Sequence, residues 1–177
     1  MPESKGPLHG GTVASFAALE QAAVEKCAEE LGGMVASGDV ITLQGDLGAG
    51  KTTFTRALAR GLGVDPAVPV TSPTFAILQE YQGRIALYHV DLYRLTGEDD
   101  VLSTGIEEYL GGPGVTVIEW PDRLETLMPD VRLQITMEYA GPEKRTLVLR
   151  GYGEQWAGRI KRLQLLVNDY KNWLTAL

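Results

Sequence analysis

Residues Leu43 to Gly63 read LQGDLGAGKTTFTRALARGLG, and the reading of this stretch decides the fold. It is entered through DVITLQG, Asp39 to Gly45, a short apolar run halted by glycine, which is the pattern of a strand buried on both faces. A helical run from Lys51 to Arg60 leaves it, with a stop expected at Gly61 or Gly63 and Pro66 beyond to discourage continuation. Between strand and helix, Gly45-Asp46-Leu47-Gly48-Ala49-Gly50-Lys51-Thr52 satisfies G-x-x-x-x-G-K-[ST]. The chemistry requires these residue types. Backbone N–H groups must curl around phosphate oxygens with no side chain between, and the helix N-terminus adds positive potential. Lys51 would reach the β- and γ-phosphates, and the Thr52 hydroxyl would ligate Mg²⁺. The candidate phosphate-binding set is Gly45, Gly48, Ala49, Gly50, Lys51, Thr52 and Thr53.

Working outward, SFAALEQAAVEKCAEELGGMVA, Ser15 to Ala36, places Phe16, Leu19, Ala23, Cys27 and Leu31 at helical spacing. A helix over this span is predicted, capped at Ser15 or a neighbour and weakened at its end by Gly32 and Gly33. Downstream, FAILQEYQGRIALYHVDLYRL offers two β-rich runs around Gln82 and Gly83, a predicted hairpin. GVTVIEW, Gly114 to Trp120, reads as another buried strand, and VRLQITMEY with KRTLVLRG as a second hairpin around Gly141 and Pro142. From Glu154 onward Trp156, Ile160, Leu163, Val167, Tyr170 and Trp173 recur every three or four residues, an amphipathic helix. Its expected berth is its own domain, with partner binding as the alternative. The expected fold is α/β, a three-layer P-loop NTPase-like fold with a mixed parallel and antiparallel sheet between helices. The expected division is a flexible leader at 1–11, a P-loop domain at 12–153 and a helical extension at 154–177.

A phosphate loop binds a nucleotide without naming a reaction, so acidic residues opposite it matter. Asp91 closes IALYHVD and Glu119 closes VTVIE, and carboxylates at the C-terminal ends of strands in an open α/β sheet face the ligand crevice. Either could hold Mg²⁺ or orient an attacking water. His89 shares the face of Asp91 if the strand is regular, although a lone histidine is more often structural. Trp120, beside Glu119, is a packing residue or a wall of the site. In VTSPTF, Val70 to Phe75, Pro73 pushes Ser72 into an extended conformation, and Thr71, Ser72 and Thr74 crowd hydroxyls into a loop that could sense a γ-phosphate.

Composition bounds the rest. The 177 residues, 44% of them hydrophobic, suffice for one substantial core. Sixteen basic against 23 acidic residues give a net charge of −7, so the chain has no global field for nucleic acid and no extensive independent nucleic-acid surface is expected. The single cysteine, Cys27, permits no intramolecular disulfide and no thiolate zinc cage. The N-terminus MPESKGPLHGG lacks an apolar signal region and no long apolar run follows, so the expected address is the cytoplasm, with no membrane.

GDLGAGKTTFTRAL, VTSPTF, HVDLYRL and IEWPDRL, in this order, closely resemble one family, the small bacterial ATPase TsaE, also called YjeE. The resemblance runs from about Val40 to Arg150. It implies ATP hydrolysis with Mg²⁺, weak in the isolated chain and raised by the partner proteins TsaB and TsaD, in making threonylcarbamoyladenosine in tRNA. It implies that Thr71, Ser72, Pro73 and Thr74 belong to a switch, that Thr52 and Glu119 are magnesium-associated, that Asp91 with Lys51 serves hydrolysis, and that a helix near the N-terminus contacts adenine. The helix from Glu154 falls outside the match. Two other uses of the same loop stay open. One is a small-molecule P-loop kinase with Asp91 as base, for which Arg94 and Arg123 are candidate lid residues without an Arg-rich segment around them. The other is a nucleotide-gated binding module with slow hydrolysis as its reset. A GTPase would need an N-K-x-D guanine reader, which the sequence lacks.

Overall fold

The computed structural model describes residues 11–175, and the side chains of 11–170 within that span. In chain order the elements are β1 (Thr12–Glu20), α1 (Gln21–Met34), β2 (Val40–Gln44), α2 (Lys51–Gly61), β3 (Leu78–Tyr81), β4 (Leu87–Asp91), α3 (Glu98–Leu102), a 3₁₀ turn at Ile106–Tyr109, β5 (Val115–Glu119), 3₁₀ turns across Pro121–Leu127, β6 (Arg132–Gly141), β7 (Lys144–Tyr152) and α4 (Glu154–Thr175). One seven-stranded sheet has the order β1-β7-β6-β2-β5-β4-β3. Its centre is parallel, β2 pairing with both β5 and β6, and β4 with β5. Its two edges are antiparallel, through the β3/β4 hairpin on one side and the β6/β7 hairpin with β1 on the other. The mixed α/β sheet between helices is the expected one, including both hairpins and the β5 strand.

Burial follows from the alternation of the strands. β2, β4 and β5 are buried at nearly every position, because helices cover both faces. On one face Ile41, Leu43, Leu87, Val115, Val117 and Leu133 meet α1, α2 and α4 in the main core. On the other Val40, Val90 and Ile118 meet Val101, Ile106 and Leu124 from the short helical segments. The core cysteine, Cys27, lies on α1, and burial pushes its thiol pKa up to about 12, so it remains protonated and unreactive.

The predicted helix from Ser15 is corrected at its start. Thr12–Glu20 is a strand paired with β7, and the helix begins only at Gln21. The cause is a break in register between Phe16 and Leu19, where Ala18 takes a φ of 50°. This irregularity returns Leu19 to the inward face three residues after Phe16, and both are buried, so a bulged strand imitates the helical period. Gly32 does more than weaken a helix end. A Cβ there would lie 2.2 Å from the Leu58 carbonyl oxygen, and one at Gly61 would lie 1.9 Å from that of Glu29. The two glycines let α1 and α2 cross in backbone contact.

α4 buries Trp156, Ile160, Leu163 and Val167 in the main core, and Gly151 on β7 leaves the space that Trp156 fills. Arg159 is paired with the nearly buried Asp39, whose same oxygen also accepts the Ala36 N–H at 2.7 Å. The Trp173 side chain and residues 1–10 of the expected leader lie outside what is described. No described helix is long and apolar enough to cross a membrane.

Candidate functional site

The loop between β2 and α2 turns on glycines. Gly45, Gly48 and Gly50 have φ of 148°, 80° and 107°, the left-handed region that other residues enter at a cost. Gly45 has no room for a side chain either, since a Cβ would stand 2.6 Å from the Met137 carbonyl oxygen. The loop is braced from behind by β6 and β7. Tyr139 donates its hydroxyl to the Leu47 carbonyl at 3.1 Å, and the Arg145 guanidinium donates to the Ala49 carbonyl at 2.9 Å. These braces stand more than ninety positions away in the chain, and no sequence signal marked them.

Lys51 begins α2 and is buried. Its ammonium donates to the carbonyls of Gly45 and Asp46 at 2.7 and 2.9 Å and lies 4.1 Å from the centre of the Trp120 ring. Burial lowers its pKa below the ordinary lysine value, against the pull of Glu119, Asp91 and Asp46. Trp120 reaches that place because it takes a left-handed φ of 60° immediately after β5. Such a conformation costs about 1–3 kcal/mol in a non-glycine residue and clusters at functional sites.

The two strand-end carboxylates meet in the same cleft, adjacent strands in register placing Asp91 beside Glu119. Glu119 accepts the Thr52 hydroxyl at 2.9 Å, and His89 Nε2 lies 2.8 Å from the same oxygen. Asp91 Oδ2 accepts the hydroxyls of Ser72 and Thr74, the latter at 2.8 Å, while its Oδ1 accepts the Tyr93 N–H at 2.9 Å. The VTSPTF segment is therefore tied to a site carboxylate. It is held at its start by the Arg56 guanidinium donating to the Val70 carbonyl at 3.1 Å. Thr71 faces outward and touches the Tyr81 hydroxyl through its backbone, while Pro73 is buried.

Of the residues singled out in the sequence, Gly48, Gly50, Lys51, Thr52, Thr53, Ser72, Thr74, Asp91, Glu119 and Trp120 line one cleft of about 390 Å³, with Leu47 and Tyr93. Ala49 is turned away, into a second hollow of about 300 Å³ behind the loop formed with Gln21, Val24, Glu143 and Arg145. Tyr93 was missed. It packs on Trp120 at 5.0 Å between ring centres, and only its place two residues after Asp91 pointed to it. Arg94 stacks on the Phe75 ring at 4.0 Å.

The glycine loop between a central parallel strand and a helix, with carboxylates at the ends of the neighbouring strands, places the fold among P-loop NTPases. Comparison with known proteins narrows the class. Residues 18–147 match the family described as Threonylcarbamoyl adenosine biosynthesis protein TsaE, and the chain belongs to that family. It is 46% identical over 120 residues to the tRNA threonylcarbamoyladenosine biosynthesis protein TsaE of Bacillus subtilis, spanning 67% of this chain and 73% of that one. It is 40% identical over 119 residues to the protein of the same name from Treponema pallidum, spanning 67% and 87%. The crystal structure of Bacillus subtilis YdiB superposes with a TM-score of 0.70 at 34% identity, over 92% of this chain and 99% of that one. The family match begins at Ala18, well before the Val40 at which the motifs became readable, and ends before α4.

Proposed function

We propose that this chain hydrolyses ATP as an accessory subunit in the formation of threonylcarbamoyladenosine in tRNA, acting in the cytoplasm with TsaB and TsaD. The observation that carries this reading is the convergence of Lys51, Thr52, Asp91 and Glu119 on one cleft at the mouth of the glycine loop. The family name and those of its relatives supply the pathway. ATP with Mg²⁺ fits the residues present. The loop has backbone turns that only glycine adopts cheaply and a face where a Cβ would collide. It also has an ammonium held at its centre, and a hydroxyl and a carboxylate already in contact beside it.

Within that reading the loop N–H groups and the Lys51 ammonium hold the β- and γ-phosphates, exchanging the loop carbonyls for phosphate oxygens. Thr52 and Glu119 hold the metal. Bound there, Mg²⁺ neutralises the charge that shifts as the γ-phosphoryl group departs. Asp91, a nearly buried carboxylate, positions or deprotonates the attacking water. Its hydrogen bonds to Ser72 and Thr74 make the segment 71–74 a switch, since any demand on Asp91 Oδ2 from a nucleotide or water competes with those hydroxyls. The hollow behind the loop, walled by Gln21 and Val24 of α1, is the proposed berth of the adenine.

Phosphate release tests the proposal. The isolated chain should turn over slowly and the rate should rise when TsaB and TsaD are both added. Phosphate found on an acceptor molecule in place of free phosphate would favour a kinase.

A further inference from the structure

Two residues before Asp91, β4 carries the imidazole of His89, which is 0% exposed. Its Nε2 lies 2.8 Å from Glu119 Oε1, while its buried Nδ1 has no hydrogen-bond partner among the described residues. These two facts define the tautomer. A proton on Nδ1 would set the bare lone pair of Nε2 against a carboxylate oxygen, acceptor facing acceptor. A proton on Nε2 gives a donor aimed at that oxygen and leaves Nδ1 as an unused acceptor. Stranding a buried polar atom is unfavourable, and a residue needed only to fill this space would be apolar, as Leu87 and Val90 are on the same strand. Among the described residues the one side-chain hydrogen bond of His89 is to Glu119.

Glu119 Oε1 receives a second donor, the Thr52 hydroxyl at 2.9 Å. Both donors therefore converge on one oxygen. Among the described residues Oε2 takes no hydrogen bond, and Glu119 forms part of the cleft wall. We propose that His89 is a positioning residue: by donating Nε2–H to Oε1 it fixes the rotation of the Glu119 carboxylate and presents Oε2 to the divalent cation that accompanies a nucleoside triphosphate in the cleft. This rests on the ATP·Mg²⁺ reading of the site. Thr52 cannot perform the task alone, because its hydroxyl is itself one of the groups that meet the cation. His89 stands behind the site and has no second duty. Partners that orient a metal-binding carboxylate in this way commonly contribute 10- to 100-fold to metal affinity.

The test is calorimetric titration of the full chain with a non-hydrolysable ATP analogue, in excess chelator and across a series of Mg²⁺ concentrations, with thermal melts alongside. Wild type is compared with His89→Leu, His89→Gln and His89→Asn. Leucine fills the space without a donor, glutamine can set an amide N–H near the place of Nε2, and asparagine reaches only the place of Nδ1. The leucine and asparagine variants should need about 10- to 100-fold more Mg²⁺ for the same gain in analogue affinity, with affinity in chelator unchanged. The glutamine variant should stay near wild type. If the leucine variant does not fold, the glutamine and asparagine variants decide. Equal Mg²⁺ requirements in those two, or affinity lost equally in chelator and in Mg²⁺, overturns the assignment. A wild type that ignores both analogue and Mg²⁺ sinks the ATP·Mg²⁺ reading and this inference with it. Wild-type binding that Mg²⁺ strengthens, with every variant alike, sinks this inference alone.

Discussion

Replacing Lys51 by Met removes the ammonium and keeps the stem. Lys51 makes two hydrogen bonds to loop carbonyls and rests on the Trp120 ring. In the proposed complex those two donors turn to phosphate oxygens, each charge-assisted bond contributing about 1.5–3 kcal/mol. Losing both, net of the roughly 1–2 kcal/mol given up in the free protein, weakens ATP by roughly 10- to 10³-fold in Kd. The free protein should suffer much less, within about 1–2 kcal/mol, for two reasons. The carbonyls that lose a donor belong to Gly45 and Asp46, half-buried and exposed, where water can replace it. The carboxylates of Asp91 and Glu119 are held by their own donors, Ser72, Thr74 and the Tyr93 N–H for one, Thr52 and His89 for the other. The pH dependence has a definite sign. Burial places the folded-state pKa of Lys51 below its unfolded value, so between the two the unfolded chain binds more protons and wild-type stability gains with rising pH. Lys51→Met should lack that gain. Calorimetric titration with ATP, and urea melts over an alkaline pH series, read both effects. Unchanged ATP affinity, or a stability loss of several kcal/mol that accounts for the lost binding, would rule out a phosphate-binding role for the Lys51 ammonium.

Asp91→Ala and Glu119→Ala should each lower phosphate release by about 100-fold or more, measured as free phosphate with TsaB and TsaD present; unchanged turnover in both removes the proposed site. ATP affinity should fall at alkaline pH sooner than an ordinary lysine would dictate, because the charged form of Lys51 binds phosphate and its pKa in the free protein is lowered; titrations from neutral to alkaline pH read this. Trp156→Ala should cost about 3–5 kcal/mol, since the indole is 0% exposed, and show as a lower melting temperature with ATP affinity retained. Truncation after Gly153 should likewise act through stability, as it uncovers the core that α4 closes; retained stability with lost partner binding would make α4 an interface.

The legible parts of the fold were those in which a local rule and the tertiary structure agree. The loop at 45–52 announced itself because its glycines, lysine and threonine are contiguous. The two hairpins carried turn residues at Gln82-Gly83 and Gly141-Pro142, and β5 carried a continuous apolar run. β1 was illegible because the irregularity at Ala18 gives a strand the spacing of a helix. α3 and the 3₁₀ turns after it were not anticipated, since α3 has only five residues, too few to display a period. In the site, Asp91 and Glu119 were reachable from their position at strand ends. The supports were not, because Tyr139 on β6 and Arg145 on β7 meet the loop through the pairing of β6 with β2 and of β7 with β6. His89 was visible as a residue on the right face, but its bond to Glu119 depends on the register of β4 with β5, which no spacing in the sequence displays.

The most direct test of the central claim is a crystal structure of this chain with a non-hydrolysable ATP analogue and Mg²⁺. The expected result is phosphates cradled by residues 45–52, Lys51 on the β- and γ-phosphates, Thr52 and Glu119 at the metal and Asp91 facing the γ-phosphate. A nucleotide bound elsewhere, or one whose γ-phosphate is remote from Asp91, would contradict it.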